Sequence, residues 1–181
     1  MNDIFIPLSS ISHLPVLKYI LNTFSVKNVL EFGVGYGSTK LFLAHECKLT
    51  SIESDFNWCQ KFSHNVIHCR PREYIIEKLY DLVFIDCHPS EDRLDCLQKA
   101  FSHTSLIVVH DTEPISENEY GYSNVKIPLG WSYLDCTINS CWTTIFTNKS
   151  KIIKLLQNMQ QFDDQVIIDI VKSSFTKKDK N

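Results

Sequence analysis

Short apolar runs alternate along this chain with segments whose apolar residues recur at a helical spacing. The runs predict five strands, at 28–32, 49–53, 65–69, 82–85 and 106–109. The run from Leu82 to Ile85 is continuously apolar, which is typical of a central parallel strand covered on both faces. Strands that alternate with helices in this way predict a doubly wound, mostly parallel α/β sheet.

Helices are predicted between these strands and on both faces of the sheet. The predicted segments are 15–24, 38–47, 55–62, 72–78 and a helix that follows Ser90 and continues to Phe101. Short polar side chains can accept the free N–H groups of a first helical turn, and several stand where these helices begin. The expected caps are Ser38 or Thr39, Asp55 and Ser90.

The alternation ends after the fifth strand. Residues 111–130 lack a clear period and contain two prolines, and the segment is either a lid over a binding site or a surface loop. Two further strands, 132–138 and 142–147, are predicted to form an antiparallel hairpin with its turn at Asn139-Ser140. We therefore expect one domain, 1–175, with a seven-stranded sheet and a C-terminal hairpin, followed by a polar tail at 176–181.

Composition narrows the functional classes. The 181 residues are 44% hydrophobic and carry 18 basic and 21 acidic side chains, so the net charge is −3. This balance lacks the basic footprint of a nucleic-acid-binding protein, and nucleic acid is an unlikely partner. No apolar run is long enough to span a membrane. Seven cysteines without a C-x-x-C pair, and no signal sequence, favour a cytoplasmic protein with free thiols.

Three of the five glycines fall between the first strand and the helix after it, at Gly33, Gly35 and Gly37. Glycine permits a positive φ and lets another molecule approach the main chain closely. A strand, a glycine-rich turn and a helix whose free N–H groups face the turn make a nucleotide-type binding site. The alternative is an ordinary tight turn, which three alternating glycines disfavour.

Two acids stand at informative distances from these glycines. Glu31 precedes Gly33 by two residues and can meet a cationic group of a ligand at the end of the strand. Glu53 ends the second predicted strand, twenty residues after Gly33, where an acid can accept both hydroxyls of a ribose. The dinucleotide fingerprint is G-x-G-x-x-G, so the early third glycine here counts against a nicotinamide oxidoreductase.

The pattern Glu31-x-Gly33-x-Gly35-x-Gly37, followed by a strand that ends in Glu53, resembles the class I (Rossmann-like) S-adenosylmethionine-dependent methyltransferases. The segment from Val29 to Trp58 looks most like their small-molecule O-methyltransferase branch. The resemblance implies that S-adenosyl-L-methionine is the cofactor, with the Glu31 position facing its methionine end and Glu53 its ribose. The expected cofactor-binding residues are Glu31, Gly33, Val34, Gly35, Tyr36, Gly37, Ser38, Thr39, Glu53, Ser54, Arg70 and Asp86.

Candidate catalytic residues follow the fourth and fifth strands, since ligands of open α/β sheets bind at the carboxyl ends of the strands. They are Asp86, His88, His110 and Asp111. The resemblance implies that Asp86 lies beside the sulfonium and the acceptor. An imidazole beside carboxylates can take a proton from a hydroxyl near neutral pH, and His110 is the preferred base, with His88 as the competing candidate.

A metal-dependent mechanism is the alternative at these positions. In catechol-type O-methyltransferases an acid after the fourth strand and an Asp-Asn pair after the fifth hold magnesium. Asp86 and Asp111 match that set, but Thr112 replaces the asparagine. His88 and His110 with these acids would instead suit a transition metal. The incomplete set predicts no metal.

The functional prediction is methyl transfer to an oxygen, in preference to a nitrogen, of a small or medium-sized molecule. One alternative is a binding module or partner subunit that keeps the cofactor site without catalysis. Another is a nucleic-acid or protein methyltransferase. A homodimer is compatible with the sequence, and Arg70 and Arg72 are either surface charges or recognise an acidic substrate group.

Overall fold

A computed structural model describes residues 12–137 and 141–157 of the chain. Its seven strands are β1 (Asn28–Phe32), β2 (Lys48–Glu53), β3 (Asn65–His68), β4 (Leu82–Ile85), β5 (Leu106–His110), β6 (Ser132–Cys136) and β7 (Thr143–Thr147). They form a single sheet in the order β3-β2-β1-β4-β5-β7-β6. The first five strands are parallel, whereas β7 is antiparallel to both β5 and β6.

This sheet confirms the predicted seven-stranded α/β fold with an antiparallel pair at its C-terminal end. The strand order reverses between β1 and β4, so the carboxyl ends of these two strands mark the crevice where such sheets bind ligands. The predicted hairpin turn at Asn139-Ser140, the domain end at 175 and the polar tail at 176–181 lie outside the described residues.

Helices cover both faces, as predicted. The α-helices are α1 (Leu14–Thr23), α2 (Ser38–Ala44), α3 (Phe56–Cys59), α4 (Asp92–Ala100), α5 (Glu117–Tyr120) and α6 (Ser150–Gln157). Short 3₁₀ helices span Pro71–Glu73, Pro114–Ser116 and Tyr122–Asn124. No helix in the described part of the chain has both the length and the apolar character to cross a bilayer.

Alternate residues of the central strands face two apolar layers. Leu82 and Phe84 of β4 pack with α1 and α2 on one face, whereas Val83 and Ile85 pack with α4 on the other. Every side chain of this strand is fully buried. Burial on both faces explains why the sequence of β4 is continuously apolar rather than alternating.

Two of the three predicted helix caps were wrong. Helix α2 begins after Gly37 without a side-chain cap, because the hydroxyls of Ser38 and Thr39 are used by Glu31. Ser90 does not cap α4 through its side chain, since its backbone carbonyl accepts the Arg93 N–H and closes the first turn. The predicted cap Asp55 is confirmed, and it accepts the Asn57 N–H at 2.7 Å.

The predicted helix at 72–78 is replaced by the 3₁₀ turn Pro71–Glu73 and an irregular segment. Ile76 is buried, but its neighbour Ile75 is 76% exposed. Tyr74 and Ile76 both pack into the layer beneath α4, which requires an alternating spacing and not a helical one. A helix would have turned one of these two side chains away from the core.

The buried ring of Phe42 packs α2 against the sheet, and this packing can be tested by mutation. Its centroid lies 6.0 Å from that of Phe84. Phe42→Ala should lower the free energy of unfolding by about 3–5 kcal/mol, because the substitution leaves a cavity in a fully buried layer. Phe56→Ala is the matched control, since Phe56 is 56% exposed and should cost far less. Urea unfolding of both variants measures the difference, and equal losses would contradict this packing.

Candidate functional site

The glycine turn after β1 joins the two halves of the crevice. Gly33 has a φ of +89°, and a Cβ there would lie 2.2 Å from the carbonyl oxygen of Asp86. Only glycine fits this close approach between the ends of β1 and β4. Gly35 differs, because a Cβ there would meet nothing nearer than the Ser38 Oγ at 3.9 Å. The turn is therefore tight at Gly33 and open at Gly35.

Part of this turn faces outward and part is enclosed. Val34, Gly35 and Tyr36 are half-buried, whereas the expected cofactor-binding residues from Gly37 to Thr39 are buried. The Tyr36 ring lies 5.2 Å from that of Trp58, just beyond the second strand. The half-buried stretch is thus the part of the turn that a ligand can reach.

Glu31 is fully buried beneath the glycine turn. Its carboxylate accepts hydrogen bonds from the hydroxyls of Ser38, Thr39 and Ser51 at 2.6, 2.8 and 2.6 Å. Burial raises its pKa to about 7, although the three hydroxyls act in the opposite direction. Glu31 therefore ties β1, α2 and β2 together from inside, and its contact with a cationic ligand group stays a prediction.

Glu53 borders the open part of the turn. One carboxylate oxygen accepts the Val34 N–H at 3.0 Å and the other accepts the Asp55 N–H at 2.8 Å. A carboxylate has about four lone-pair sites, so further donors such as ribose hydroxyls can still be accommodated. Ser54 lies beside it and donates from its hydroxyl to the His88 carbonyl at 2.7 Å.

Arg70, which follows β3, is engaged in an ion-pair network with residues at the start of α4. Its guanidinium contacts the fully buried Asp92 at 3.0 Å and Glu91 at 2.9 Å. Arg72 also reaches Asp92, at 3.5 Å. These contacts give both arginines a structural partner, so the expected role of Arg70 toward the cofactor stays a prediction.

Asp86, His110 and Asp111 meet at the ends of β4 and β5, as the strand-end argument requires. The His110 Nδ1 atom lies 3.5 Å from Asp86 Oδ2 and 3.3 Å from Asp111 Oδ1. The two carboxylates are 25% and 22% exposed, whereas the imidazole is only 3% exposed. The carboxylates therefore form the edge that a bound molecule would touch, with the imidazole behind them.

His88 is not part of this group. Its side chain is exposed, and its backbone carbonyl is what contacts Ser54. The sequence placed His88 and Asp86 close together along the chain, but the two residues face different surroundings. Its predicted catalytic role is untested, and the geometry favours His110 over it.

Arg93 lies at the centre of the charged group and was not among the residues predicted from the sequence. This arginine is 2% exposed. Its guanidinium donates to Asp86 at 2.8 Å, to Asp111 at 3.1 Å, and to the carbonyls of Cys87 and His110 at 3.0 Å each. In the sequence Arg93 looks like an ordinary polar residue in a helical first turn, and nothing local marks it as buried.

Ser12 and His13 were also missed, because the first predicted element began at Pro15. Ser12 Oγ lies 2.8 Å from His110 Nε2. The His13 ring is buried, with its centroid 4.5 Å from that of His110 and 5.0 Å from that of Phe84. The only available signal was the pair of polar residues directly before an apolar helix, and this pattern also suits a helix cap.

The surroundings shift the pKa values of the group in different directions. Burial raises the pKa of Asp86, but His110 and Arg93 outweigh it and hold that pKa well below its usual range. Burial lowers the pKa of His110, but the two carboxylates outweigh it and the pKa is raised. Burial raises the pKa of Asp111. Burial and the neighbouring His110 lower the pKa of His13 to about 3.

The segment after β5 folds over this group instead of forming an open loop. The Arg93 guanidinium lies 4.4 Å from the centre of the Tyr120 ring, and the Tyr122 hydroxyl donates to the His110 carbonyl at 3.4 Å. Trp131 packs edge-on against Phe101 at 4.8 Å. Tyr120 and Tyr122 therefore point inward and cover Arg93.

Comparison with known proteins places the fold. No protein-family description and no curated protein matches the sequence. Solved structures do match. N-methyltransferase NodS from Bradyrhizobium japonicum WM9, in complex with S-adenosyl-L-homocysteine, aligns with a TM-score of 0.56 and 17% identity, over 82% of this chain and 90% of that one.

Two further structures widen the range of chemistry among these neighbours. The O-methyltransferase from Bacillus cereus aligns with a TM-score of 0.54 and 13% identity, over 81% of this chain and 84% of that one. The 16S rRNA N2 G1207 methyltransferase RsmC from T. thermophilus aligns with a TM-score of 0.55 and 14% identity, over 82% of this chain and 44% of that one. The chain therefore has the Rossmann-like fold of class I S-adenosylmethionine-dependent methyltransferases, and this fold by itself does not define a methyl acceptor.

The raised pKa of Glu31 should make the stability of the fold depend on pH. The ordinary pKa is 4.5 and the folded value is about 7, so folding is increasingly opposed as pH rises from about 4.5 to 7. Glu31→Gln keeps an uncharged side chain at every pH. The unfolding free energy of the variant relative to the natural chain should therefore rise by up to about 3 kcal/mol across this window and then level off. Urea unfolding at several pH values measures it, and a constant difference would contradict the assignment.

Proposed function

We propose that this chain is an S-adenosylmethionine-dependent methyltransferase that acts on an oxygen of a small or medium-sized acceptor. The observation that carries the proposal is the arrangement of the crevice. The open backbone at Gly35 lies beside the Glu53 carboxylate, and through Gly33 the same turn abuts Asp86. A cofactor seated on the turn would direct its reactive end toward the carboxylates that follow β4 and β5.

The acceptor side is supported by the charged group at those strand ends. A hydroxyl that binds at the exposed edge of Asp86 or Asp111 would be separated from the His110 imidazole only by that carboxylate. The imidazole is the member of this group that can hold a proton near neutral pH. Methyl transfer from a sulfonium to a hydroxyl needs alignment of the two reactants and removal of that proton, and these residues supply both.

The first test of the proposal is cofactor binding. Gly35→Leu should abolish binding of S-adenosylhomocysteine, because the added side chain fills the open space beside the turn without meeting backbone. Glu53→Ala should weaken binding by about 1–3 kcal/mol through lost hydrogen bonds to a charged group. The exposed acid in Glu77→Ala serves as the control and should bind as the natural chain does. Calorimetric titration measures all three affinities, and unchanged binding in the first two variants would refute the cofactor site.

The second test concerns catalysis. A screen of hydroxyl, amine and nucleoside acceptors by release of S-adenosylhomocysteine first identifies a substrate. His110→Gln should then lose about 10²–10⁴ in turnover, the usual contribution of proton transfer, while its cofactor affinity stays near normal. His88→Gln is the matched control and should retain most of its turnover. The reverse pattern would transfer the role to His88, and activity on amines alone, or methylation of a nucleoside at nitrogen alone, would refute the oxygen acceptor.

A further inference from the structure

Three side chains that can ligate a metal converge behind the crevice, and only two of them belong to the group predicted from the sequence. One ligand atom from each of His13, Asp86 and His110 lies within 4.8 Å of the others. We propose that these three residues bind a divalent transition-metal ion, with Zn²⁺ as the reference ion. The site does not depend on the proposed methyl transfer, and metal binding can be measured without cofactor or acceptor.

The environment of His13 is the first argument. Its side chain is buried, and neither ring nitrogen has a hydrogen-bond partner among the described residues. A buried polar atom without a partner is energetically unfavourable. The ring stands edge-on to His110 and beside Phe84, so packing holds it in place but leaves both nitrogens unsatisfied. A metal ion would satisfy one of them.

The orientation of His110 is the second argument. Its Nε2 lies 2.8 Å from the Ser12 Oγ, which can accept a hydrogen bond from a protonated Nε2. In that tautomer Nδ1 carries the free lone pair and faces Asp86 and Asp111, although no hydrogen bond forms to either. An imidazole that ligates through one nitrogen and donates from the other to a neighbouring oxygen is the usual arrangement at metal sites.

The two carboxylate oxygens of Asp86 have different partners, and one of them remains available as the third metal ligand. Oδ1 accepts the guanidinium of Arg93 at 2.8 Å, while Oδ2 faces His110 Nδ1 at 3.5 Å. Arg93 thus orients the carboxylate and leaves one oxygen for an ion. The quarter-exposed carboxylate edge also provides a route by which an ion and a fourth ligand can enter from solvent.

The ligand types select the kind of ion. Two imidazoles and one carboxylate suit zinc and other divalent transition metals, whereas magnesium prefers a shell of oxygens. This set differs from both sets weighed from the sequence, the oxygen ligands and the pair His88 and His110 with acids, because His13 comes from the segment before α1. With an ion bound, His110 is a ligand and not a free base, and the ion itself would lower the pKa of a hydroxyl coordinated at the site. Proton transfer to His110, as in the proposed function, therefore belongs to the metal-free chain.

A second cluster in the described residues must be separated from this one. Asp111, Glu113 and Cys141 also bring ligand atoms within 4.8 Å of one another. These three residues are half-buried, and Glu113 already accepts the Trp142 N–H at 2.9 Å and the Ser116 hydroxyl at 2.7 Å. A thiolate ligand would mark this alternative site spectroscopically, because cobalt bound to sulfur shows a charge-transfer band that nitrogen and oxygen ligands do not produce.

The test is stoichiometric metal binding by the full chain after removal of metal with a chelator. Equilibrium dialysis should give one equivalent of Zn²⁺ or Co²⁺ that Mg²⁺ does not displace, and the Co²⁺ form should lack the thiolate band. His13→Gln and His110→Gln should each lose this equivalent. Ser12→Ala should weaken the affinity by about 10–100-fold, as expected for a partner of a ligating histidine. His88→Gln and Cys141→Ser are the controls and should bind as the natural chain does.

The natural chain also provides a readout that does not depend on whether the variants fold. Nitrogen NMR of ¹⁵N-histidine-labelled protein should show two ring systems shifted by Zn²⁺, and His88→Gln should leave both of these signals in place. Absence of a bound equivalent, a thiolate band, or an equivalent that survives in both histidine variants would overturn the site. Such a result would leave the cofactor and turnover tests of the proposed function unaffected.

Discussion

The contact between Gly33 and the Asp86 carbonyl is the constraint on which the rest of the crevice depends. The two backbones approach so closely that a methyl group at Gly33 would lie 2.2 Å from the carbonyl oxygen. This contact brings the glycine turn of one strand against the first acid of the charged group on the next. The half of the crevice proposed for the cofactor and the half proposed for the acceptor are therefore held at one fixed separation.

Buried polar groups hold each half in shape. On the side proposed for the cofactor, the Glu31 carboxylate accepts hydrogen bonds from hydroxyls of a helix and of a neighbouring strand. On the side proposed for the acceptor, the buried Arg93 guanidinium donates to two carboxylates and two backbone carbonyls. Burying a charge is costly unless it is paired and hydrogen-bonded, and Arg93 satisfies both conditions. The positions of Asp86 and Asp111 are consequently set by an interior residue and not by solvent.

The fold and the site carry different amounts of functional information. Proteins of similar fold here include methyltransferases named for oxygen, nitrogen and ribosomal RNA acceptors. A shared fold therefore leaves the acceptor open, and the particular side chains at the strand ends must decide it. In this chain those side chains are two carboxylates with an imidazole directly behind them. That combination is the physical basis for proposing an oxygen acceptor.

The local sequence pattern was sufficient to predict most of the fold. Burial on both faces requires continuous apolar runs in central strands such as β4. The positive φ after β1 requires glycine at Gly33. The prediction of a helix at 72–78 was wrong, because burial of Tyr74 and Ile76 in the tertiary structure overrode the helical pattern of the sequence. The roles of Ser12, His13 and Arg93 could not be predicted either. Ser12 and His110 are 98 residues apart in the sequence, so no local residue pattern could predict their contact. The sequence by itself determined the strands and the glycine turn, whereas packing of distant segments decided which polar groups became buried together.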